Sequence, residues 1–271
     1  MPNLRLISAC AAALLATSHS AAWADVVVAG SDYFLTVPGS LTPSSPPPGG
    51  TWGNIPGVGT ILFQGVDFGP GGADTIIQRQ ADATINGPPV SIQITGLQLE
   101  SEAPVAAFGN INVYASLDPT RLGNDTGTLT VSGTSAGGTF SSTLNVYFDI
   151  CTTVGVNGVG CGSGTLLGTG SYTGSTVGTS TGSEWSSTPL PGQALVTGSV
   201  GDLAANSHSG LSAGEVDFFP GVSDGLPFPV VTCFGTAGCH EITPAPEPGT
   251  VALLGTALLG LAGWRHRAWR K

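Results

Sequence analysis

Apolar and polar positions alternate in short runs along most of the chain. Val90-Ser91-Ile92-Gln93-Ile94-Thr95 puts an apolar side chain at every second position, and Leu97-Gln98-Leu99-Glu100 carries the alternation on. Residues 112–117, 128–131 and 143–148 repeat the pattern with valine, tyrosine, threonine and phenylalanine. Period two with β-branched and aromatic residues predicts strands that turn one face inward and one outward. Further strands are expected at 26–29, 33–37, 60–63 and 194–199. Turn residues separate the runs, as in Asn86-Gly87-Pro88-Pro89 and Gly123-Asn124-Asp125. No long amphipathic helix is legible between 25 and 241, and the 42 glycines weigh against one. The expected fold is all-β, an antiparallel sandwich or barrel spanning 25–243. The proline-rich 38–50 reads as a loop, and the Gly/Ser/Thr-rich 162–187 as a loop or, alternatively, as edge strands dominated by threonine. No period signals a solenoid or propeller.

The two ends break the pattern. Residues 1–24 carry one cation, Arg5, then an alanine- and leucine-rich run, and close on Ala22-Trp23-Ala24. Small side chains at those positions predict cleavage by signal peptidase between Ala24 and Asp25. The apolar run is far shorter than the ~20 residues a membrane span needs. At the other end, residues 244–271 begin with prolines, continue through the apolar stretch 249–264, and finish on Arg265, Arg267, Arg270 and Lys271. A single transmembrane helix with a basic cytoplasmic end is expected there.

Charge narrows the partners. All 17 acidic residues lie in the segment 25–247, where only Arg79 and Arg121 oppose them. Such a surface repels phosphate backbones, so nucleic-acid binding is excluded. Cys10 leaves with the signal segment. The remaining cysteines form two close pairs, Cys151 with Cys161 and Cys233 with Cys239. An even count in an exported chain reads as disulfides, since zinc ligands come at tighter spacing with histidine support.

Catalytic chemistry is thin. Gly-x-Ser-x-Gly occurs around Ser135 and Ser180, but neither match is followed by the helix a nucleophile elbow requires. His208 and His240 have no partner assigned by spacing. Without an internal lysine, a Walker-type phosphate loop and a lysine Schiff base are both excluded. The carboxylate pairs Glu100/Glu102 and Glu215/Asp217 have the period-two spacing a glycosidase could use, yet such pairs are common on an acidic surface. Oxygen ligands in a loop such as 118–125 suit calcium, though the glycine and ligand pattern of a calcium loop is missing. The expectation is no enzyme and no cofactor, with calcium the alternative.

The tail is the most specific feature. Pro246-Glu247-Pro248, a short Leu/Gly/Ala segment and a terminal arginine cluster resemble the PEP-CTERM sorting domain. The resemblance implies recognition of Pro246, Glu247 and Pro248 by an exosortase in the inner membrane. It also implies delivery to the cell surface or exopolysaccharide matrix of a Gram-negative bacterium. His266, Ala268 and Trp269 interrupt the usual arginine run. The expected role is structural or adhesive. The alternatives are a glycan-binding module, favoured if Trp52 or Trp185 lay exposed on a flat sheet, or a matrix glycan hydrolase.

Overall fold

The structure is a computed structural model that describes residues 25–36, 40–42, 61–177, 184–189, 192–223, 226–227, 230–233 and 239–244. The alternating runs form strands, and ten of them organise the molecule: β1 (Gly30–Thr36), β2 (Ile61–Gly65), β3 (Thr75–Arg79), β4 (Val90–Ser101), β5 (Tyr114–Leu117), β6 (Thr126–Thr134), β7 (Gly137–Cys151), β8 (Leu166–Val177), β9 (Val230–Cys233) and β10 (Cys239–Pro244). Neighbours pair antiparallel in the order β1-β3-β4, then β5 and β6 together, then β7-β8-β9-β10, and β10 pairs back onto β1. The sheet closes on itself as a small barrel. Among the described residues there is no α-helix, only three single-turn 3-10 segments. Of the two architectures the alternation allowed, the barrel is realised.

Strand β4 is the spine. On one side it pairs with β2 and β3 laid end to end, and on the other with β5 and β6 laid end to end. Each flanking strand is interrupted by an excursion, 66–74 on one side and 118–125 on the other. The inward face of the barrel holds Ile92, Ile94, Leu97 and Leu99 of β4, with Ala115, Leu117, Leu129, Val131, Leu144, Val146 and Ile150 from its neighbours. Even positions face inward up to Ile94, and odd positions from Leu97. The switch is a β-bulge, in which Ile77 pairs with Ile94 and Ile76 with Gly96, leaving Thr95 unpaired on this side.

Residues 192–217 lie over the outer face of β1 and β3. Ser31 N–H donates to the Ala205 carbonyl at 2.8 Å, and Gln78 Nε2 donates to the Leu203 carbonyl at 2.9 Å. Val27, Ala83 and Trp185 join the barrel's apolar cluster from short strands beside it, and Ile85 and Phe218 from the residues next to such strands.

Three expectations are narrowed or changed. In the stretch 162–187 the strand alternative holds for 166–177, which is β8 and makes eleven register pairs with β7. Its glycines are part of the pairing: Gly170 lies opposite Phe148, and a β-carbon there would overlap the phenyl ring. The strand expected at 194–199 is confined to Thr197–Ser199, which pairs parallel with Ser207–Ser209. Within the proline-rich stretch, Ser40–Thr42 pairs with β2.

Candidate functional site

The two excursions share a local sequence, Gly72-Ala73-Asp74-Thr75 and Gly123-Asn124-Asp125-Thr126, each seven residues after an earlier aspartate, Asp67 or Asp118. Gly72 and Gly123 both have left-handed φ, +79° and +91°, a region open to glycine at little strain. Each chain then re-enters the sheet on a fully buried aspartate. Asp74 Oδ2 accepts from Thr36 N–H at 2.6 Å, and its Oδ1 accepts from the hydroxyls of Thr36 and Thr75, both at 2.7 Å. Asp125 Oδ1 accepts from Tyr147 N–H at 2.6 Å. In both cases a carboxylate serves a strand N–H beside the break in the ladder. Burial pushes the Asp74 carboxyl up to about 6 against its three hydrogen bonds, with Asp67 adding to the rise. Burial pushes Asp125 up to about 6 as well, the Tyr147 N–H opposing and the Asp118 charge reinforcing. Asp125 Oδ2 has no hydrogen-bond partner.

In the 118–125 loop, the place a calcium ion would suit, Asp118 turns one carboxylate oxygen to the loop's own groups while Asp125 Oδ2 stays unpartnered. Asp118 Oδ1 accepts from Thr120 N–H at 2.8 Å and from its hydroxyl at 2.7 Å, and Arg121 stacks over the Tyr147 ring at 4.7 Å. Burial, then the Asp118 charge, raises Asp149 to about 6. Asp149 groups with the sulfurs of Cys151 and Cys161 within 4.8 Å, but those sulfurs are bonded to each other. Two sulfurs joined in a disulfide offer no thiolate to a metal. The Cys151–Cys161 disulfide ties the end of β7 to the loop that follows it. Cys233 and Cys239 are direct register partners across the β9–β10 hairpin.

A second polar cluster lies where 192–217 covers the barrel. Arg79, fully buried, pairs with Asp32, donates from Nε to the Val28 carbonyl at 3.3 Å and stacks over Phe218 at 4.7 Å. Burial holds the Asp32 carboxyl above its usual range, against the Arg79 charge. Arg79 Nη2 and Asp32 Oδ1 are left without partners. His208 Nδ1 lies 2.6 Å from Asp217 Oδ1, and Nε2 lies 3.2 Å from the Asp202 carbonyl. Both ring nitrogens face oxygen acceptors, so the imidazole has no lone pair turned toward a nucleophile. Gly30 lets these groups meet, since a β-carbon there would sit 2.9 Å from His208 Cε1 and 3.2 Å from Arg79 Nη2.

The other candidates are dispersed. Ser135, half-buried, sits at the tip of the β6–β7 hairpin, with strand rather than helix after it. Glu100 accepts from Asn112 Nδ2 at 2.9 Å and from the Tyr114 hydroxyl at 3.0 Å. Glu215 Oε2 accepts from Ser212 N–H at 2.7 Å, while Asp217 is taken by His208. Trp185, which exposure would have marked for sugar stacking, is buried: it stacks on Phe218 at 5.5 Å and donates from Nε1 to the Ser132 carbonyl at 3.0 Å. Trp52, Ser180, the His240 side chain, Ala24 and the tail from Ala245 onward lie outside the described residues. Among the described residues no helix is long and apolar enough to cross a membrane.

Sequence reasoning passed over Asp74 and the Arg79–Asp32 pair, and it read Asp125 as part of a turn and a calcium-suited loop rather than as a buried partner of a strand N–H. The repeated Gly-x-Asp-Thr was the available signal for Asp74 and Asp125. For Arg79 it was the rarity of cations in an acidic segment.

Strand β10 ends at Pro244, and there the barrel meets the tail. Residues 244–268 match the family model of the PEP-CTERM protein-sorting motif. No curated protein and no solved structure matches the chain. The matched segment contains Pro246, Glu247 and Pro248, and it marks the chain as an exported protein processed by an exosortase, a membrane enzyme.

Proposed function

We propose that the barrel is a non-catalytic cargo, structural or adhesive, which exosortase processing hands to the cell surface or exopolysaccharide matrix. The observation that carries this reading is the sorting motif beginning on the last residue of the barrel's last strand. The internal chemistry agrees with it. His208, Asp217, Glu100 and Glu215 are held by neighbouring protein groups, and the hydroxyl of Ser135 stands at a hairpin tip. The described tryptophan that could have stacked a sugar is in the core. The acidic surface suits an extracellular setting.

Two measurements test the proposal. Fractionation of the native host should find the wild-type protein at the surface and Glu247→Ala retained in the inner membrane, with the fold unchanged. An unprocessed anchor predicts the same location for both. The processed chain, incubated with the host's own extracellular polysaccharide, should bind or coat without releasing sugars. Steady glycan release that vanishes on changing one carboxylate would favour the hydrolase instead.

A further inference from the structure

Asp149 is a buried carboxyl that the fold leaves unemployed. It stands at an odd, outward position of β7, between Ser116 of β5 and Thr169 of β8. Outward side chains of a small barrel ordinarily meet water, yet Asp149 is 5 % exposed. The loop after β7 returns beside it. Ser116 Oγ donates to the Gly160 carbonyl at 2.8 Å, and Gly160 N–H donates to the Leu117 carbonyl at 2.8 Å. Asp74 and Asp125 are buried too, and each serves a strand N–H. Among the described residues none donates a hydrogen bond to Asp149, and burial raises it with Asp118 adding to the rise. A buried polar group without donors is costly, so its presence calls for another use.

What Asp149 faces is the disulfide. A carboxylate oxygen, Cys151 Sγ and Cys161 Sγ all lie within 4.8 Å of one another. A proton crosses such a gap through one intervening water. The two sulfurs differ in access, since Cys151 is fully buried and Cys161 half-buried. A thiol or disulfide from outside therefore meets Cys161, and Cys151 must lose or regain its proton inside the protein. The Ser116 hydroxyl, 3.8 Å from Cys151 Sγ, already spends its proton on the Gly160 carbonyl. Asp149 is the titrating group at hand.

We infer that Asp149 carries the proton in the closing and opening of the Cys151–Cys161 bond, which makes this pair an exchange site rather than an inert crosslink. Closing begins when the Cys161 thiolate attacks an external disulfide, forming a mixed disulfide and expelling a thiolate. Cys151 Sγ then attacks Cys161 Sγ while its proton passes to the Asp149 carboxylate. The bond between Cys161 and the oxidant breaks, and the electron pair leaves on the oxidant's sulfur. The two cysteines are oxidised and the external disulfide is reduced to two thiols. Opening by an external dithiol runs the same steps backwards, with Asp149 returning the proton to Cys151. Asp149 is buried only once β5 and β7 have paired, so the bond closes fastest in the native arrangement.

A carboxyl raised to about 6 is ionised, and able to take a proton, above that pH. Asp118 is the charge that faces it, and Arg121 Nε lies 3.8 Å from Asp118 Oδ2 with its guanidinium over the Tyr147 ring. Tyr114, opposite Cys151, gives its hydroxyl to Glu100, and Thr169 on the β8 side carries no charge.

The experiment follows closure in the chain recovered from the native host, reduced with dithiothreitol and then given oxidised glutathione. Acid quenching and peptide masses separate the thiol, mixed-disulfide and closed forms at Cys151 and Cys161, apart from Cys233 and Cys239. The mixed disulfide of the native chain should close at a rate that rises to a plateau above pH about 6. Asp149→Asn should lose the plateau, climb about tenfold per pH unit with the thiolate, and close about tenfold more slowly at pH 7. Asp118→Asn should move the rise to lower pH, because its charge helps hold Asp149 up. A bystander carboxylate predicts the opposite for Asp149→Asn, since removing a negative charge favours the thiolate and speeds closure. Faster or unchanged closure in that variant overturns the inference. So does a native profile without the plateau, or a rise that Asp118→Asn leaves in place. Those last two readings decide the matter if Asp149→Asn fails to fold.

Discussion

Asp74 and Asp125 do the same work on opposite sides of β4, each giving a carboxylate oxygen to a strand N–H that the break in the ladder leaves over. Asp74→Ala strands Thr36 N–H and two hydroxyls in a fully buried site, and should cost about 3 kcal/mol by chemical denaturation of the processed chain. Their titration gives a second expectation. Asp74, Asp125 and Asp149 are all raised to about 6 by burial, above the 3.8 of an ordinary aspartate. A carboxyl raised in the folded state contributes stability that is complete below its unfolded pKa and lost as pH rises through the folded one. The barrel should therefore melt higher at pH 5 than at pH 7.5. The double variant Asp74→Asn, Asp125→Asn should reduce that difference, with Asp149 keeping the remainder, and an unchanged pH slope would refute the assignment. The repeated Gly-x-Asp-Thr was readable in the chain. Its purpose was not, because the N–H groups served belong to Thr36 and Tyr147, which only tertiary structure brings near.

At the scale of elements, the strands with strong alternation were legible and those without it were not. Val90–Ser101 announces itself, and even its slip from even to odd apolar positions between Ile94 and Leu97 is visible once a bulge is known to sit there. Leu166–Val177 is different. Threonine, serine and glycine give it little hydrophobic signal, and its register comes from eleven pairings with β7 rather than from its own pattern. Gly127 shows how closely these strands approach. It pairs with Ile92 on one side and Leu144 on the other, and a β-carbon would overlap the Thr143 carbonyl. Gly127→Ala should destabilise the barrel by about 3 kcal/mol, since backbone rather than a flexible side chain must move. Replacing Cys151 and Cys161 by alanine frees a ten-residue separation and should cost about 2–3 kcal/mol. A melting midpoint unchanged in either variant would show that these contacts contribute little. Peptide mapping without reductant should also find Cys233 joined to Cys239, the pairing their register allows.

The whole molecule is a closed barrel whose last strand runs directly into a sorting tail. The barrel's exported setting was legible from its two ends and from the acidic balance between them. Its closure was not, because the ring depends on β10 returning to β1 across some two hundred residues, and no local period encodes that meeting. On the proposed reading the two parts have separate roles, a folded body to be delivered and a tail to be removed. The intact mass of the protein recovered from the surface of the native host tests this division most directly. The account predicts a chain beginning at Asp25 and ending near Pro246-Glu247-Pro248, without the apolar stretch and without Lys271. A surface protein that retains Lys271, or a full-length chain found solely in the inner membrane, would contradict it.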